Sequence, residues 1–380
     1  MKVLVSDVDS KHGLAAARML SISGTTVDGI ANPRSFARLS RHINKLGFDN
    51  DRFKEEYIET FVKFLSTASY DVFLPITAEA VSLTATYRTG IEKYCAVPLP
   101  EKEAINLCFD KVRTAALAEK VGVKHPRTWD FASREDLQKH AKEIVFPVVV
   151  KGRHEMSAFS ARYAENVAAL MRHISDWENK YAGKVGEGFP CIQQRIRGAA
   201  CGFFALYDHG VCRQYFMHRR VREVPATGGP SSCAESIHEN DLLEAGVSLL
   251  DALDWHGVAM VEFKREQSTN ELYLIEINPK FWGSLELSYA SGINFPYGAV
   301  LLAAGRPLPG NAPYTVGKRF QWLLPDDLKH LKTSPPSLFS VLGDMMDWRT
   351  GSNIWISDPL PTLGYIWNNV CQMVGPKERR

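Results

Sequence analysis

Two glutamates and an asparagine on either side of residue 269 offer the clearest chemistry in the sequence. Glu262 and Glu276 lie in the apolar stretches MVEF and LIEIN, which flank a polar turn at 267–270. If Thr269 is the centre of a hairpin, the two glutamates are cross-strand partners and Asn278 follows on the same face. Hard oxygen ligands of this kind suit Mg²⁺, which usually completes its coordination with substrate phosphates. The hairpin therefore predicts a magnesium–nucleotide site.

The competing interpretation is that the two glutamates are solvent-facing acids, and a register slip of one residue would separate them. Their apolar neighbours favour the metal site, because two carboxylates held close together on a half-buried sheet repel each other unless a cation lies between them. Mn²⁺ is the other hard cation that such a ligand set would accept.

Two lysines could supply positive charge to the phosphates of this nucleotide. Lys151 ends the apolar strand FPVVVK, and Lys111 lies on a helix in FDKVRTAAL. An ammonium group is well suited to phosphate oxygens. Either lysine alone would be interpreted as a side chain that reaches out to solvent. Together with the carboxylate hairpin, both become candidates.

A basic strand and the loop after it form a candidate substrate site. Arg220 and Arg222 in FMHRRVREV would share one face of a strand and could meet an anionic substrate or the transferred phosphoryl group. The loop ATGGPSS could present N–H and O–H donors to an acyl phosphate or a carboxylate. Its candidate residues are Gly228, Gly229, Ser231 and Ser232. The alternative is a solvated strand followed by a flexible surface loop.

The elements that must position these residues change in character along the chain. KVLVSDV, TTVDGIA and DVFLP are short apolar strands separated by amphipathic stretches, which is typical of a parallel, Rossmann-like α/β domain over residues 1–100. Gly13 stands alone where a full G-x-G-x-x-G signature would bind a dinucleotide, so NAD binding is not predicted. A single helix is predicted over 101–121, ending at Gly122.

The hydrophobic period changes to two between about residues 145 and 280. Strands there are divided by Gly-, Asp- or Asn-containing turns, with helices at about 164–180 and 239–254. This pattern predicts an α+β domain with antiparallel sheets over 101–310. Residues 311–380 show little periodicity, and we assign this C-terminal extension no role.

Composition excludes several classes of protein. The 45 Lys+Arg and 43 Asp+Glu residues nearly cancel, so no nucleic-acid partner is expected. The seven cysteines are scattered without metal-binding spacing, which disfavours a zinc site or a disulfide framework and indicates the cytoplasm. No apolar run approaches the roughly 18 residues of a membrane span, so no membrane partner is expected.

Several motifs, taken in order, resemble the ATP-grasp superfamily. They are FDK (109–111), VVVKGR (148–153), CIQQRIRG (191–198), MVEFK (260–264) and LIEINPKFWGS (274–284). The resemblance covers roughly residues 1–300 and is closest to members that look like one half of a carbamoyl-phosphate synthase large chain. It implies a Rossmann-like domain followed by a two-lobed ATP clasp, with a lid subdomain at about 125–195.

The resemblance also implies roles for single residues. Lys111 and Lys151 match the lysines that contact ATP phosphates, and the carboxylate hairpin matches the magnesium ligands. The residues that match the interdomain strand beside adenine are Gln193, Gln194 and Ile196.

The sequence departs from the family pattern at three points. Lys280 stands where arginine is common, which keeps the charge but loses the bidentate fork. Gln194 replaces a usual glutamate. The segment after Lys151 lacks the expected Gly-rich turn, although Ser157 is small enough to let backbone N–H groups approach phosphate.

These observations predict an ATP-dependent ligase that joins a small-molecule carboxylate to an amine through an acyl phosphate. Lys111, Lys151, Arg220 and Lys280 would neutralise the transferring phosphoryl group, with Arg220 and Lys280 in the catalytic role and Arg222 binding substrate. A homodimer is also considered. The alternatives are a carbamoyl-phosphate-synthase-like or carboxylase reaction on bicarbonate, and a nucleotide-binding regulatory protein that has lost turnover.

Overall fold

The computed structural model describes residues 1–157, 159–183, 188–226, 228–308, 313–364 and 367. Its strands are β1 Lys2–Val5, β2 Thr26–Ala31, β3 Lys45–Asp49, β4 Val72–Leu74, β5 Thr128–Trp129, β6 Val148–Lys151, β7 Arg162–Ala164, β8 Cys191–Gln194, β9 Gly198–Asp208, β10 Val211–Glu223, β11 Ser231–Ser236, β12 Gly257–Glu266, β13 Leu272–Asn278, β14 Arg319–Gln321 and β15 Gly351–Ser352.

The α-helices are α1 Lys11–Ile22, α2 Ile58–Ala68, α3 Ala78–Thr86, α4 Arg88–Ile91, α5 Lys102–Phe109, α6 Lys111–Lys120, α7 Arg134–His140, α8 Val167–Lys180, α9 Asn240–Asp251, α10 Leu285–Ala290, α11 Phe295–Ala303, α12 Leu328–Thr333 and α13 Leu338–Met346. Short 3₁₀ segments occupy Phe36–Leu39, Asn50–Arg52, Glu55–Tyr57, Ala141–Glu143 and Pro335–Ser337, and a π turn occupies Leu323–Asp327.

The first sheet is parallel and has the strand order β3-β2-β1-β4. The residues Val3–Val5 of β1 are buried on both faces, as the unbroken apolar run VLV predicts. Ser10 begins α1, because its Oγ accepts a hydrogen bond of 3.0 Å from the amide of Gly13. This cap directs the first turn of α1, with Lys11 and His12, over the carboxyl end of β1.

The second sheet is small and antiparallel, with the order β5-β8-β6-β7. The helix α8 covers it through Leu170, Ile174 and Trp177, which pack against Val148 and Ile192. This unit has its own hydrophobic core and carries Lys151 at the end of β6.

The third sheet has seven strands in the order β13-β12-β9-β10-β11-β14-β15. All its pairs are antiparallel except the short β14–β15 pair. Its core includes the fully buried Phe203, Phe263 and Trp322. The strands β14 and β15 come from the region 311–380, so this region is built into the main sheet and has a structural role that its weak periodicity did not predict.

The predicted combination of a parallel α/β unit with antiparallel α+β units is confirmed. The single helix predicted over 101–121 is wrong, because the chain leaves helical geometry at Asp110 (φ −100°, ψ 111°) and starts again as α6. The Asp110 carboxylate caps the new helix by accepting hydrogen bonds from the amides of Val112 and Arg113.

Among the described residues, no helix has both the length and the apolar character that a membrane crossing demands.

Candidate active site

The carboxylate hairpin forms with the predicted pairing. Glu262 on β12 lies opposite Glu276 on β13, and Met260 lies opposite Asn278. The amide Nδ2 of Asn278 donates a hydrogen bond of 3.0 Å to Glu276 Oε1. Near the turn the strands are offset by one residue from the predicted register, since Arg265 pairs with Leu272 and not with residue 273. An irregularity between Glu262 and Phe263 removes this offset, so Glu262 and Glu276 are paired as predicted.

The two carboxylates have different electrostatic surroundings. Burial raises the pKa of Glu262, although Arg220 opposes this shift from 2.5 Å away. Burial would also raise the pKa of Glu276, but Lys111, the Asn278 hydrogen bond and Lys151 together lower it. Glu276 is therefore held as an anion, while Glu262 depends on its arginine partner.

The two predicted phosphate lysines approach this hairpin from different elements. Lys111 is the first residue of α6, where the cap at Asp110 places it, and its side chain is largely buried. Burial lowers the pKa of Lys151, and the Glu276 carboxylate partly offsets that shift. Both ammonium groups thus act on the carboxylate of Glu276, which fits a site built to hold opposite charges around a polyanion.

Glu155 is a site residue that the sequence reasoning missed. Its carboxylate lies 2.6 Å from the Nζ of Lys280 and 3.8 Å from the Nζ of Lys111. The backbone fixes this position, because the amide of Glu155 donates to Phe109 O and the amide of Lys111 donates to Arg153 O. The signal for Glu155 was an acidic residue inside a segment assigned to phosphate binding.

Arg220 and Arg222 do not act as a pair, and the prediction that they share a face is wrong. The ladder between β10 and β11 is irregular on both sides of Arg222, which breaks the strict alternation of side chains. Arg220 contacts Glu262 and donates a hydrogen bond of 2.8 Å to Gly229 O. Arg222 is buried and ion-paired with Asp327 and Asp344. Arg222 is therefore a structural residue, and its predicted role in substrate binding is corrected.

The two ends of the loop after β10 are hydrogen-bonded to each other. The carbonyl of Pro230 accepts a hydrogen bond of 2.9 Å from the amide of Val224. A side chain on Gly229 would meet Val224 O at 2.1 Å, and Gly228 has a φ of +130°, so both positions favour glycine. Ser231 borders the cleft described next. Ser232, in contrast, is fully buried and its carbonyl accepts from the amide of Trp322.

A cleft of about 590 Å³ joins these groups. Its predicted lining residues are Lys151, Arg220, Gly228, Gly229, Ser231, Glu262, Glu276, Asn278 and Lys280. Three lining residues that the sequence reasoning did not place there are Lys11 and His12 from the start of α1 and His218 from β10. The cleft therefore lies between the first and third sheets, with Lys151 and Glu155 contributed by the second.

The two histidines of the cleft are held neutral. Burial, with help from Arg220, lowers the pKa of His218 to about 3, and its Nε2 lies 2.7 Å from Ser284 Oγ. Burial, with help from Lys280 and Lys11, lowers the pKa of His12 to about 4. Neither ring adds positive charge to the cleft near neutral pH.

A family model described as "ATP-grasp in the biosynthetic pathway with Ter operon" matches residues 213–323, the region that contains the arginine strand and the carboxylate hairpin. The carbamoyl phosphate synthase large chain of Xylella fastidiosa is 24% identical over 191 residues, which is 47% of this chain and 17% of that protein. D-alanine–D-alanine ligase B of Pseudomonas putida is 22% identical over 182 residues, covering 45% of this chain and 54% of the ligase. The matched regions thus span about a sixth and about half of these two relatives.

Several solved structures are similar in fold to this protein over most of its chain. A biotin carboxylase from Campylobacter jejuni superposes with a TM-score of 0.68 at 18% identity, covering 84% of this chain and 74% of that one. The chain has the ATP-grasp fold. The L-amino acid ligase of Bacillus licheniformis gives a TM-score of 0.66 at 15% identity, with 81% and 76% covered. N5-carboxyaminoimidazole synthetase of Staphylococcus aureus superposes with a TM-score of 0.65 at 16% identity, covering 89% of this chain and 86% of that one.

The resemblance to ATP-grasp ligases that the ordered motifs predicted is thereby confirmed. The three residues predicted at the adenine strand of the ATP-grasp fold lie on β8 or just after it. Gln193 is buried and donates 3.1 Å to Thr128 Oγ1, while its Oε1 is buried without a partner among the described residues. Gln194 is exposed and accepts weakly from the Arg127 amide, and Ile196 is buried. None of the three lines the cleft in the described residues.

Ser157 belongs to the ATP-grasp segment predicted to cover the phosphates. Its Oγ accepts a hydrogen bond of 3.1 Å from the amide of Phe159. A side chain on Gly152 would meet Ser157 Oγ at 2.0 Å, so glycine is required where the segment folds back on itself. Contact between Ser157 and phosphate stays a prediction.

Proposed function

We propose that this protein is an ATP-dependent carboxylate–amine ligase that forms an amide through an acyl-phosphate intermediate. The observation that carries the proposal is the convergence of opposite charges on one cleft. Three oxygen donors stand on a single hairpin, and the side chains of Lys151, Arg220 and Lys280 line the same cavity. Such an arrangement supports phosphoryl transfer, which needs positioning and charge stabilisation but no side-chain nucleophile.

The residues present fit a divalent cation. Glu262, Glu276 and Asn278 offer three hard oxygen ligands, and the low pKa of Glu276 keeps that ligand ionised. We propose that they hold Mg²⁺, or Mn²⁺ in its place. A bound cation of this kind would neutralise charge on the ATP phosphates.

The chain's own cations would act on the groups that react. We propose that Lys111 and Lys151 hold the phosphates of ATP, while Arg220 and Lys280 stabilise the transferring phosphoryl group. An oxygen of the substrate carboxylate attacks the γ-phosphorus and ADP leaves, which gives the acyl phosphate. The nitrogen of a neutral amine then attacks the carbonyl carbon, phosphate leaves with the bonding electrons, and the surplus proton passes to solvent.

Product analysis with matched variants tests this proposal. The 380-residue chain is incubated with ATP, Mg²⁺ and pools of amino acids and small carboxylates, and products are detected by mass. Glu276→Gln should lower carboxylate-dependent ADP release by about 100-fold or more, because a metal ligand and an anion are lost together. Glu244→Gln, an exposed acid on α9, is the control and should turn over like the parent.

Two results would contradict parts of this proposal. Unchanged ADP release in Glu276→Gln would remove the metal assignment. ATP binding measured by calorimetry, with no ADP formed in any pool, would favour the regulatory nucleotide-binding protein instead.

A carboxylase-like reaction on bicarbonate is the second candidate. It is favoured by the structural similarity to a 2-oxoglutarate carboxylase domain from Hydrogenobacter thermophilus, described in complex with MgADP, ADP and bicarbonate, at a TM-score of 0.68 and 16% identity. ADP release that depends on labelled bicarbonate, with label recovered in the product and no amide formed, would support this candidate.

The same carboxylase domain is described as a dimer, which supports the proposal of a homodimer. The free cysteines at six described positions support the proposal of a reducing, cytoplasmic location. Sedimentation of the purified protein and fractionation of the producing cells would test these two points.

A further inference from the structure

Two histidines and an aspartate meet at one end of the third sheet. Asp208 is the last residue of β9, His209 follows it in the turn to β10, and His256 directly precedes β12. One nitrogen or oxygen atom from each side chain lies within 4.8 Å of the other two. In the part of the chain that the structure describes, no other three histidine, cysteine or acidic side chains converge in this way. We call these three residues the turn cluster.

The spacing inside the turn cluster fits two ligands of one metal ion better than it fits a hydrogen bond. The Nδ1 of His256 lies 3.8 Å from Oδ1 of Asp208, which is too far for a hydrogen bond. This nitrogen is buried and has no hydrogen-bond partner among the described residues, which is unusual for a buried polar atom. Two ligand atoms bound tetrahedrally at about 2.0–2.2 Å from one zinc ion are about 3.3–3.6 Å apart. A small movement of either side chain would give that spacing.

The other oxygen of Asp208 is held by an arginine. Oδ2 accepts a hydrogen bond of 2.9 Å from Arg213 Nη2. This contact fixes the orientation of the carboxylate and leaves Oδ1 on the side of His256. Carboxylates that bind metals are commonly held by such an outer hydrogen bond. Arg213 is therefore compatible with a ligand role for Asp208.

The backbone of the turn places the second imidazole ring beside the first. The ring centroids of His209 and His256 are 4.2 Å apart. His209 and Gly210 form the two-residue turn between β9 and β10, with φ values of +44° and +73°. Such a turn favours Asn, Asp or Gly at its first position, so His209 occupies it against the preference of its backbone. Strained positions of this kind are concentrated at functional sites.

The ligand atoms and their location indicate the kind of metal and its role. Imidazole nitrogens with one carboxylate suit Zn²⁺, which is often held by three protein ligands and a water, whereas Mg²⁺ prefers oxygen ligands. Six residues along the chain separate His256 from Glu262 of the carboxylate hairpin, which is about 20 Å of extended strand. A metal at the turn cluster would therefore be separate from the proposed magnesium site.

We propose that the turn cluster binds one Zn²⁺ through Asp208, His209 and His256, and that this ion links the turn between β9 and β10 to the start of β12. The strands β9 and β12 are neighbours in the third sheet, so the ion would join their ends. An ion that binds only the folded chain stabilises it. This proposal departs from the expectation that disfavoured a zinc site, which rested on the spacing of the cysteines, and it does not depend on the proposed reaction.

Zinc titration of the 380-residue chain without a polyhistidine tag tests the proposal. Calorimetry in excess Mg²⁺, which competes for the proposed magnesium site, should show one Zn²⁺ bound per chain. His209→Asn and His256→Gln should each bind Zn²⁺ at least about tenfold more weakly, because each removes one of three ligands. Asparagine suits the positive φ at residue 209, so the first variant should keep the turn. His238→Gln changes an exposed histidine outside the turn cluster and should bind like the parent.

Two further measurements report on the same site. Co²⁺ in place of Zn²⁺ should give a visible absorption spectrum without thiolate charge-transfer bands, since the turn cluster contains no cysteine. Zn²⁺ should raise the midpoint of thermal unfolding of the parent and of His238→Gln, but not that of the two turn-cluster variants.

The possible results separate clearly. Binding of one Zn²⁺ that both turn-cluster variants weaken and His238→Gln keeps supports the proposal. Absence of binding, binding only at millimolar Zn²⁺, or equal binding by the parent and the two variants overturns it. Thiolate bands in the cobalt spectrum would place the ion at a cysteine, and loss of Zn²⁺ in Glu276→Gln would place it in the cleft. Either result also overturns the proposal.

Discussion

The strand β10 supplies arginines to two buried charge clusters that differ in completeness. On the cleft side, Arg220 contacts Glu262, and open volume lies beside the pair. On the other side, Arg222 is enclosed by Asp327 and Asp344, and it is also hydrogen-bonded to Ser340. We call these the cleft cluster and the C-terminal cluster.

The difference teaches how to separate a functional charge from a structural one. A guanidinium whose donors are used by buried carboxylates and neighbouring polar side chains, as those of Arg222 are, has none left for a substrate. The cleft cluster instead leaves oxygen atoms and cations facing a cavity that a polyanion could enter. Both clusters pair an arginine with carboxylates. What distinguishes them is how many partners the arginine has and whether the cluster borders an open cavity.

Removal of Arg222 should have the largest effect on stability. Arg222→Met leaves two buried carboxylates without their partner, and we expect the free energy of unfolding to fall by about 3–5 kcal/mol. Chemical denaturation measures this loss. The control is Arg219→Met, a half-exposed arginine of the same strand that pairs with Glu235 and should cost less than about 1 kcal/mol. Similar losses in both variants would remove the distinction between the clusters.

Removal of Arg220 should instead act mainly on turnover. We expect Arg220→Gln to lower ADP release by about 100-fold, because it removes the cation that we propose to stabilise the transferring phosphoryl group. The loss of stability should be smaller than for Arg222→Met, since Glu262 has a raised pKa and can take up a proton when its partner is removed. A stability loss as large as that of Arg222→Met, with turnover intact, would make the cleft cluster structural too.

The neutral His218 of the cleft gives a pH test. A histidine whose pKa is lowered on folding takes up its proton more readily in the unfolded chain. The free energy of unfolding therefore falls as the pH drops from the ordinary histidine pKa of 6.5 toward the folded-state pKa of about 3. We expect the parent to lose about 2 kcal/mol more than His218→Gln between pH 8 and pH 5. Denaturant titrations at both pH values measure the difference. Parallel pH profiles for the two proteins would contradict the buried neutral imidazole.

The smallest effect is expected at Glu155. Its carboxylate engages Lys280 and Lys111, and an incoming phosphate would have to displace it. Glu155→Gln should therefore lower the KM for ATP about twofold to fivefold, as expected for a partly exposed ion pair. Glu165→Gln, which changes an exposed acid just after β7 that is paired with Arg195, serves as the control. A raised KM would show that Glu155 assists nucleotide binding instead of competing with it.

The sequence was most informative where local pattern alone positions a side chain. The pairing of Glu262 with Glu276 follows from the alternation of strands and the position of one turn. It survived an error of register at that turn because an irregularity in the ladder compensated for it. Lys151 was also found from local pattern alone. It is the first polar residue after the apolar run of β6, and such a residue meets either solvent or a site.

Contacts between distant segments could not be predicted. The partners of Arg222 lie more than 100 residues away, and nothing in FMHRRVREV indicates them. The break at Asp110 was hidden because its neighbours on both sides favour helix. It became visible only through the segment at 153–155, whose backbone pairs with it. Such features depend on tertiary packing that overrides local preference.

The position of β14 between β11 and β15 in the main sheet has a practical consequence for any attempt to isolate the motif-bearing part of the chain. A fragment cut at residue 310, where the motif-bearing region ends, would strip β11 of its outer neighbour and leave a row of bare amide and carbonyl groups open to other chains. The same cut would remove Asp327 and Asp344, the ion-pair partners of the buried Arg222. The sequence motifs thus mark the residues of the cleft, but the sheet that carries these residues extends well past the last motif.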